Sequence, residues 1–167
     1  VPVDIVTIAN QGETVLAWDP DTGRPLSNMI VWQDRRAEII CTELVEHKEV
    51  FARRTGLVLD PYFSAPKQAW LRRNVTRDGV VTTSDSWLIH QLTGEFVTDA
   101  STASRSLATD LDTGAWDTEL LSLFGLADER LPAIVACDAI VGTTTVFGDT
   151  ATVGGLVVDQ QAALIGE

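Results

Sequence analysis

The fold class is indicated by residues 154–166, which read Gly-Gly-Leu-Val-Val-Asp-Gln-Gln-Ala-Ala-Leu-Ile-Gly. The apolar run at 156–158 predicts a strand, and it brings Asp159 to the first position of an alanine-rich helix pattern. A carboxylate there stands at the carboxyl end of a strand, where α/β folds commonly place reactive groups beside outward-pointing backbone N–H groups. The simpler interpretation is a helix N-cap, a position that Asp favours.

Working outward from this segment, strand and helix patterns alternate along the chain. Strands are predicted at 3–9, where the run is β-branched and reads as buried, at 14–18 and 29–32, and two or three more between 133 and 158. Helices are predicted at 34–45, at 49–54 with a stop at Gly56, at 64–74 with Ser64 as cap, from Ser84 or Asp85 to a stop at Gly94, and at 117–124 before Gly125. The alternation predicts one α/β domain with a mixed sheet flanked by helices.

Composition and charge narrow the classes of function. Acidic residues outnumber basic ones 24 to 12, and the net charge of −12 disfavours binding to nucleic acid or to an anionic membrane. No apolar run approaches the roughly 18 residues of a transmembrane segment. Cys41 and Cys137 lie far apart without metal-ligand spacing, which predicts small core residues in a reduced, cytoplasmic protein. The start at Val1, without Met, suggests a piece of a longer chain.

Polar and aromatic residues gather in segments 10–13, 32–36 and 60–64, at predicted strand ends or in loops where functional sites often lie. Each segment also has a structural explanation: a turn, a helix cap with early charges, and a loop with an aromatic plug. Together with Asp159 and Gln160 they suggest a sharper interpretation. Carboxylates and amides that can bind hydroxyl groups would stand beside aromatic faces suited to the C–H side of a polyol.

These segments resemble the FGGY family of carbohydrate kinases, and most closely its members that phosphorylate glycerol. The family carries Asn-Gln-Arg-Glu-Thr, Trp-Gln-Asp-Arg-Arg, Gly-Leu-Val-Leu-Asp-Pro-Tyr-Phe-Ser and Gly-Asp-Gln-Gln-Ala-Ala-Leu. The counterparts here are residues 10–14, 32–36, 56–64 and 158–164. Weaker matches cover 83–89, 98–105 and 116–125, so the resemblance runs in order along almost the whole chain.

The resemblance implies a fold, a reaction and a set of site residues. The fold is the RNase-H-like, actin-like ATPase fold, and the reaction is ATP-dependent phosphorylation of a polyol or sugar hydroxyl with Mg²⁺. Asp159 corresponds to the catalytic base and lies near the Mg²⁺ site. The positions that correspond to substrate contacts are Gly12, Glu13, Trp32, Tyr62, Asp159 and Gln160.

Two positions depart from the family's pattern. Gly12 stands where the family has Arg, so a guanidinium that would donate to a substrate hydroxyl is lacking and space is expected beside Glu13. Val158 stands where the family has Gly before the catalytic Asp. The first departure predicts a substrate longer than glycerol, either a longer polyol or a ketose.

The resemblance also implies how much of the enzyme residues 1–167 represent. Family members begin with a phosphate-loop hairpin and carry a second domain that holds most of the ATP site. This chain therefore corresponds to an incomplete N-terminal, substrate-binding domain, expected to be inactive alone. Its partners are a small polyol or sugar and ATP, with neither nucleic acid nor membrane, and a homo-oligomer is left open. The alternatives are a pentulose or hexulose kinase of the same family, or a non-catalytic sugar-binding module on the actin-like fold.

Overall fold

The computed structural model describes residues 2–167, in which three small β-sheets alternate with short helices. The strands are β1 (Ile5–Asn10), β2 (Val15–Trp18), β3 (Val80–Thr83), β4 (Val97–Asp99), β5 (Ala133–Val135), β6 (Ile140–Thr144) and β7 (Ala151–Val158). The α-helices are α1 (Glu38–Glu43), α2 (Lys48–Thr55), α3 (Ser64–Asn74), α4 (Ser84–Thr93), α5 (Ala100–Ser104), α6 (Thr118–Leu123) and α7 (Asp159–Gly166), with a 3-10 turn at Val45–His47.

The largest sheet has the order β1–β7–β6, with β7 parallel to β1 and antiparallel to β6. This confirms the prediction of a mixed sheet flanked by helices. Helix α4 packs on the sheet through Ile89, which is buried with Val153 and Leu156 of β7. Strands β2 and β3 form an antiparallel pair, and β4 and β5 a parallel pair.

The main hydrophobic core lies between β2 and helices α1, α2, α3 and α6. Phe51 of α2 and Phe124, the residue after α6, are both almost fully buried, and their ring centroids are 5.0 Å apart. Such an aromatic pair contributes about 0.5–1.5 kcal/mol beyond the burial of its area. The core therefore holds the helices against β2, from which the turn at residues 11–14 leads back to β1.

Several predicted elements are confirmed with different bounds or burial. The strand predicted at 3–9 is β1, but it is not buried throughout, because alternate residues of a strand face opposite sides and Ile5 remains 66% exposed. The strand predicted at 29–32 is reduced to a single bridge between Val15 and Ile30. The helix predicted from Asp34 begins at Glu38, because the Asp34 carboxylate accepts the Arg36 backbone N–H and guanidinium and closes a local turn instead.

Helix ends were predicted better than helix starts. Gly56 and Gly94 adopt left-handed φ angles of 71° and 81° directly after α2 and α4, as predicted. The caps proposed at Ser64 and at Ser84 or Asp85 are wrong, because α3 and α4 already include these residues. The N-cap positions belong to residues 63 and 83, which have extended backbones and make no side-chain capping bond.

Candidate functional site

Strands β1 and β7 end side by side, which brings two of the predicted segments together. Asn10 and Val158 are the last paired residues of these parallel strands. The turn after β1 and the start of α7 therefore leave the sheet at the same edge, where α/β folds place ligands. Asp159 is half-buried there and its carboxylate accepts the Gln160 N–H at 3.0 Å. The N-cap interpretation of Asp159 is wrong, since Val158 occupies the N-cap position.

Glu13 is held in an unusual backbone conformation with a buried carboxylate. Its φ is 60°, in the left-handed region that costs a non-glycine residue about 1 kcal/mol or more. The residue is 1% exposed, and its Oε1 accepts the Nε–H of Arg105 at 2.7 Å. Its Oε2 is buried and has no hydrogen-bond partner anywhere in residues 2–167. A strained residue with a free buried carboxylate oxygen is typical of a binding site.

Arg105 connects Glu13 to the predicted aromatic faces. Its guanidinium lies 5.6 Å from the ring centroid of Tyr62 and 5.1 Å from that of Phe63, within cation–π range. The rings of Tyr62 and Trp32 are in turn 5.5 Å apart. Glu13, Arg105, Tyr62 and Trp32 therefore form one continuous cluster, in which a carboxylate and a cation stand beside two aromatic side chains.

The loop that presents Tyr62 is tied down by Lys67 of α3, which is fully buried. Its ammonium donates to the backbone carbonyls of Pro61, Tyr62 and Phe63. Burial lowers the pKa of Lys67 to about 8, against the attraction of nearby carboxylates, chiefly those of Glu13 and Asp34. One buried cation thus fixes three successive peptide groups, and its charge attracts the carboxylate of Glu13.

Gly12 lies against the start of α7 and does not open the space expected beside Glu13. A Cβ built on Gly12 would be 3.4 Å from both γ-carbons of Val158 and 3.8 Å from Oε1 of Gln160. The left-handed residue of this turn is Glu13, and Gly12 itself lies outside that region. The side chain of Val158 therefore occupies the direction in which a residue at position 12 would extend.

A further contact fixes the end of β7 immediately before Asp159. The Ser101 hydroxyl of α5 accepts the backbone N–H of Val158 at 2.9 Å and donates to the carboxylate of Asp99. Asp99 is fully buried and caps α5 by accepting the N–H of Ser101 at 2.7 Å. The thiol of Cys137 also donates to this carboxylate, at 3.2 Å, and Cys137 is only half-buried, unlike the core position predicted for it.

The structure thus brings together most, but not all, of the predicted segments. From residues 32–36 only Trp32 joins the cluster, because Arg36 pairs with Asp34 and stacks on Trp70 while Arg35 pairs with Glu38. Arg105 and Lys67 were not predicted as site residues. The resemblance at 98–105 ended on Arg105 without assigning it a role, and a lysine in a helix is normally exposed.

The described residues of the site offer single carboxylates, and no cluster of side chains, as ligands for a metal ion. No group of three or more His, Cys, Asp or Glu side chains in the described part of the chain could hold a metal ion. A single carboxylate such as that of Asp159 can hold a Mg²⁺ ion only together with other ligands, since such ions are usually held by one or two carboxylates together with phosphate oxygens. Within residues 2–167, no helix has the length and apolar character needed to cross a membrane.

Solved structures with the same architecture define the class of protein. A glycerol kinase from Plasmodium falciparum with ADP superposes with a TM-score of 0.92 at 33% identity, over 99% of this chain and 36% of that one. A xylulose kinase from Lactobacillus acidophilus superposes with a TM-score of 0.87 over 99% of this chain and 37% of that one, and at 22% identity it shares the fold. The chain has the actin-like ATPase fold.

The sequence comparisons then define the family. The model of the N-terminal domain of the FGGY family of carbohydrate kinases matches residues 2–166, and the chain belongs to this family. A glycerol kinase from Rhizobium rhizogenes is 44% identical and one from Janthinobacterium is 42% identical, each over 97% of this chain. The chain spans 35% of the length of both relatives.

Proposed function

We propose that this chain is part of the substrate-binding domain of a longer ATP-dependent kinase that phosphorylates a hydroxyl group of a polyol or sugar. Family membership and the similarity to glycerol kinases support the reaction class. The assignment of a polyol or sugar as substrate rests on the buried Oε2 of Glu13. This oxygen has no hydrogen-bond partner within the described residues and belongs to the cluster that contains Tyr62 and Trp32. A polyol supplies the hydroxyl donor and the C–H faces that this cluster lacks.

Each side chain at this edge has a role that its surroundings support. Glu13 accepts a hydrogen bond from a substrate hydroxyl through Oε2, while Arg105 holds its other oxygen. Trp32 and Tyr62 pack against the C–H face of the substrate. Gln160 offers an amide that both donates and accepts, and Gly12 leaves this part of the wall without a cation.

Asp159 is the proposed general base. Its carboxylate accepts the proton of the attacking hydroxyl, whose oxygen becomes acidic as its bond to phosphorus forms. Mg²⁺-ATP, carried mostly by a further domain, supplies the phosphoryl group. Since phosphoryl transfer depends mainly on positioning and charge neutralisation, one aligned carboxylate beside the nucleotide is sufficient.

The lack of a cationic side chain at position 12 favours a second candidate, a pentulose or hexulose kinase of the same family, although Val158 leaves no additional space there. The full-length protein should be tested for ADP formation with glycerol, longer polyols, pentuloses and hexuloses. ADP formation with at least one of these substrates is the expected result. Binding without ADP formation would instead support a non-catalytic sugar-binding module. We propose a cytoplasmic location, which the free thiols of Cys41 and Cys137 support.

The role of Asp159 gives the sharpest test of the reaction. In the full-length protein Asp159→Asn should lower kcat by about 100-fold or more through loss of a general base, while KM changes only modestly. Asp21→Asn, in the exposed turn after β2, is the matched control. Near-normal turnover of the Asp159 variant would contradict the assignment.

A further inference from the structure

The two positions at which this chain departs from the family's motifs lie against each other. Gly12 precedes Glu13 after β1, and Val158 is the last residue of β7. Both γ-carbons of Val158 stand 3.4 Å from the position of a Cβ on Gly12. Val158 has no exposed surface, so its methyl groups fill the space into which a side chain at position 12 would grow. A small residue in the turn after β1 is thus matched by a larger one at the end of β7.

The contact limits what position 12 can contribute. A Cβ alone makes ordinary van der Waals contact, and the backbone of Gly12 lies outside the left-handed region, so alanine fits without strain. Any longer side chain must pass between the methyl groups of Val158 and the amide of Gln160, whose Oε1 is 3.8 Å from the Cβ position. Packed interiors do not absorb such added atoms without shifts of their neighbours.

We propose that Gly12 and Val158 act as one coupled specificity determinant of the substrate site. Val158 is a positioning residue: its methyl groups fill the space beside Gln160 and keep a cation out of that part of the wall, even when position 12 is changed to arginine. The substrate hydroxyl beside Gln160 is then bonded by an amide and not by a guanidinium. Glycerol therefore lacks a charge-assisted hydrogen bond that a longer polyol or sugar can replace with contacts elsewhere in the site. This inference rests on the proposed function and deepens it.

A double-mutant cycle in the full-length protein tests the coupling. The variants are Gly12→Arg, Val158→Gly and the double variant, and the measured quantity is kcat/KM for glycerol divided by kcat/KM for the best longer substrate. Each single change should move this ratio by less than about threefold. The double variant should raise it by about tenfold or more, as expected for one added charge-assisted hydrogen bond. The glycerol-induced rise in melting temperature without nucleotide gives a second readout.

Val153 offers a matched control, because it is another fully buried valine of β7 and packs beside Ile89. The cycle of Gly12→Arg with Val153→Gly should be additive. Gly12→Ala should fold with a wild-type melting temperature. If Val158→Gly unfolds the protein, Val158→Ala with Gly12→Lys repeats the cycle.

The outcomes separate the coupling from the function on which it rests. Additive effects in both readouts, or equal coupling at Val153, overturn the coupled determinant while an active wild type preserves the kinase proposal. A wild type that neither binds nor phosphorylates any polyol or sugar of the panel overturns both.

Discussion

At the residue scale, burial disfavours the charge of Lys67, but the same position gives three backbone carbonyls a hydrogen-bond donor. Burial lowers its pKa to about 8, so the charged form is less favourable in the folded protein than in the unfolded chain. Its ammonium is nevertheless the donor for the carbonyls of Pro61, Tyr62 and Phe63. An unpaired buried carbonyl costs about 1–3 kcal/mol. Removing the one donor that three carbonyls share therefore destabilises the folded protein more than removing the buried charge stabilises it.

We therefore predict that Lys67→Met lowers the free energy of unfolding by about 1–3 kcal/mol and weakens substrate binding through a less ordered Tyr62. Urea denaturation and substrate titration measure the two effects. The control is Lys48→Met, because Lys48 is the chain's other lysine and is exposed on α2. A Lys67 variant as stable as the Lys48 variant would contradict the role of the three carbonyls.

The pH dependence of the same comparison has a definite sign. The unfolded chain keeps the Lys67 proton up to its ordinary pKa of 10.5, whereas the folded protein releases it near pH 8. Between these values the unfolded state binds more protons, so the contribution of Lys67 to stability rises with pH. The stability difference between wild type and Lys67→Met should widen from pH 8 to pH 10.5 and stay constant between pH 6 and 7.

Some residues of the site could be predicted from the sequence, whereas Arg105 and Lys67 could not. Glu13, Trp32 and Tyr62 could be predicted as neighbours because recognisable motifs surround them, and the structure joins them. The joining residue is Arg105, 92 positions from Glu13 along the chain, and no local pattern specifies so distant a partner. The burial of Lys67 could not be predicted either, since a lysine within a helix pattern is normally expected to be exposed.

At the element scale, α5 braces the end of β7. Ser101→Ala removes the hydroxyl that accepts the Val158 N–H, leaving that N–H without its acceptor next to Asp159. We expect a loss of about 1–3 kcal/mol in unfolding free energy and a lower kcat with little change in KM. Ser104→Ala is the control, because its exposed hydroxyl bonds only to the Ser101 carbonyl within the same helix. Equal effects of the two variants would exclude a positioning role for Ser101.

Elements with strong local signals were predictable and short ones were not. Glycine ends α2 and α4 because it adopts the left-handed conformation without steric cost, and this preference is readable in the sequence. The three-residue strand β4 and the five-residue helix α5 are too short to show periodicity, and tertiary contacts define them. The delayed start of α1 has a similar cause, since Asp34 found partners in Arg36 that competed with helix capping.

At the scale of the whole molecule, half of the twelve basic residues are already paired with carboxylates. The net charge is −12, and six arginines pair with carboxylates: Arg35, Arg36, Arg54, Arg72, Arg73 and Arg105. The other basic residues would have to attract a polyphosphate against the field of this negative net charge. Residues 1–167 alone should therefore show no ATP binding in calorimetry at submillimolar concentration. Tight binding would mean that the nucleotide site lies within this chain, contrary to the proposed division of domains.

The anchoring of residues 60–63 has a thermodynamic consequence for recognition. Besides the three bonds from Lys67, the Tyr62 N–H donates to the Asp60 carboxylate at 2.8 Å and the Phe63 N–H to the Asp60 carbonyl. The conformational entropy of this loop is thus lost during folding and not during association. Ligand capture should proceed with little ordering penalty at Tyr62, and the amide protons of this loop should exchange slowly with solvent even before a ligand arrives.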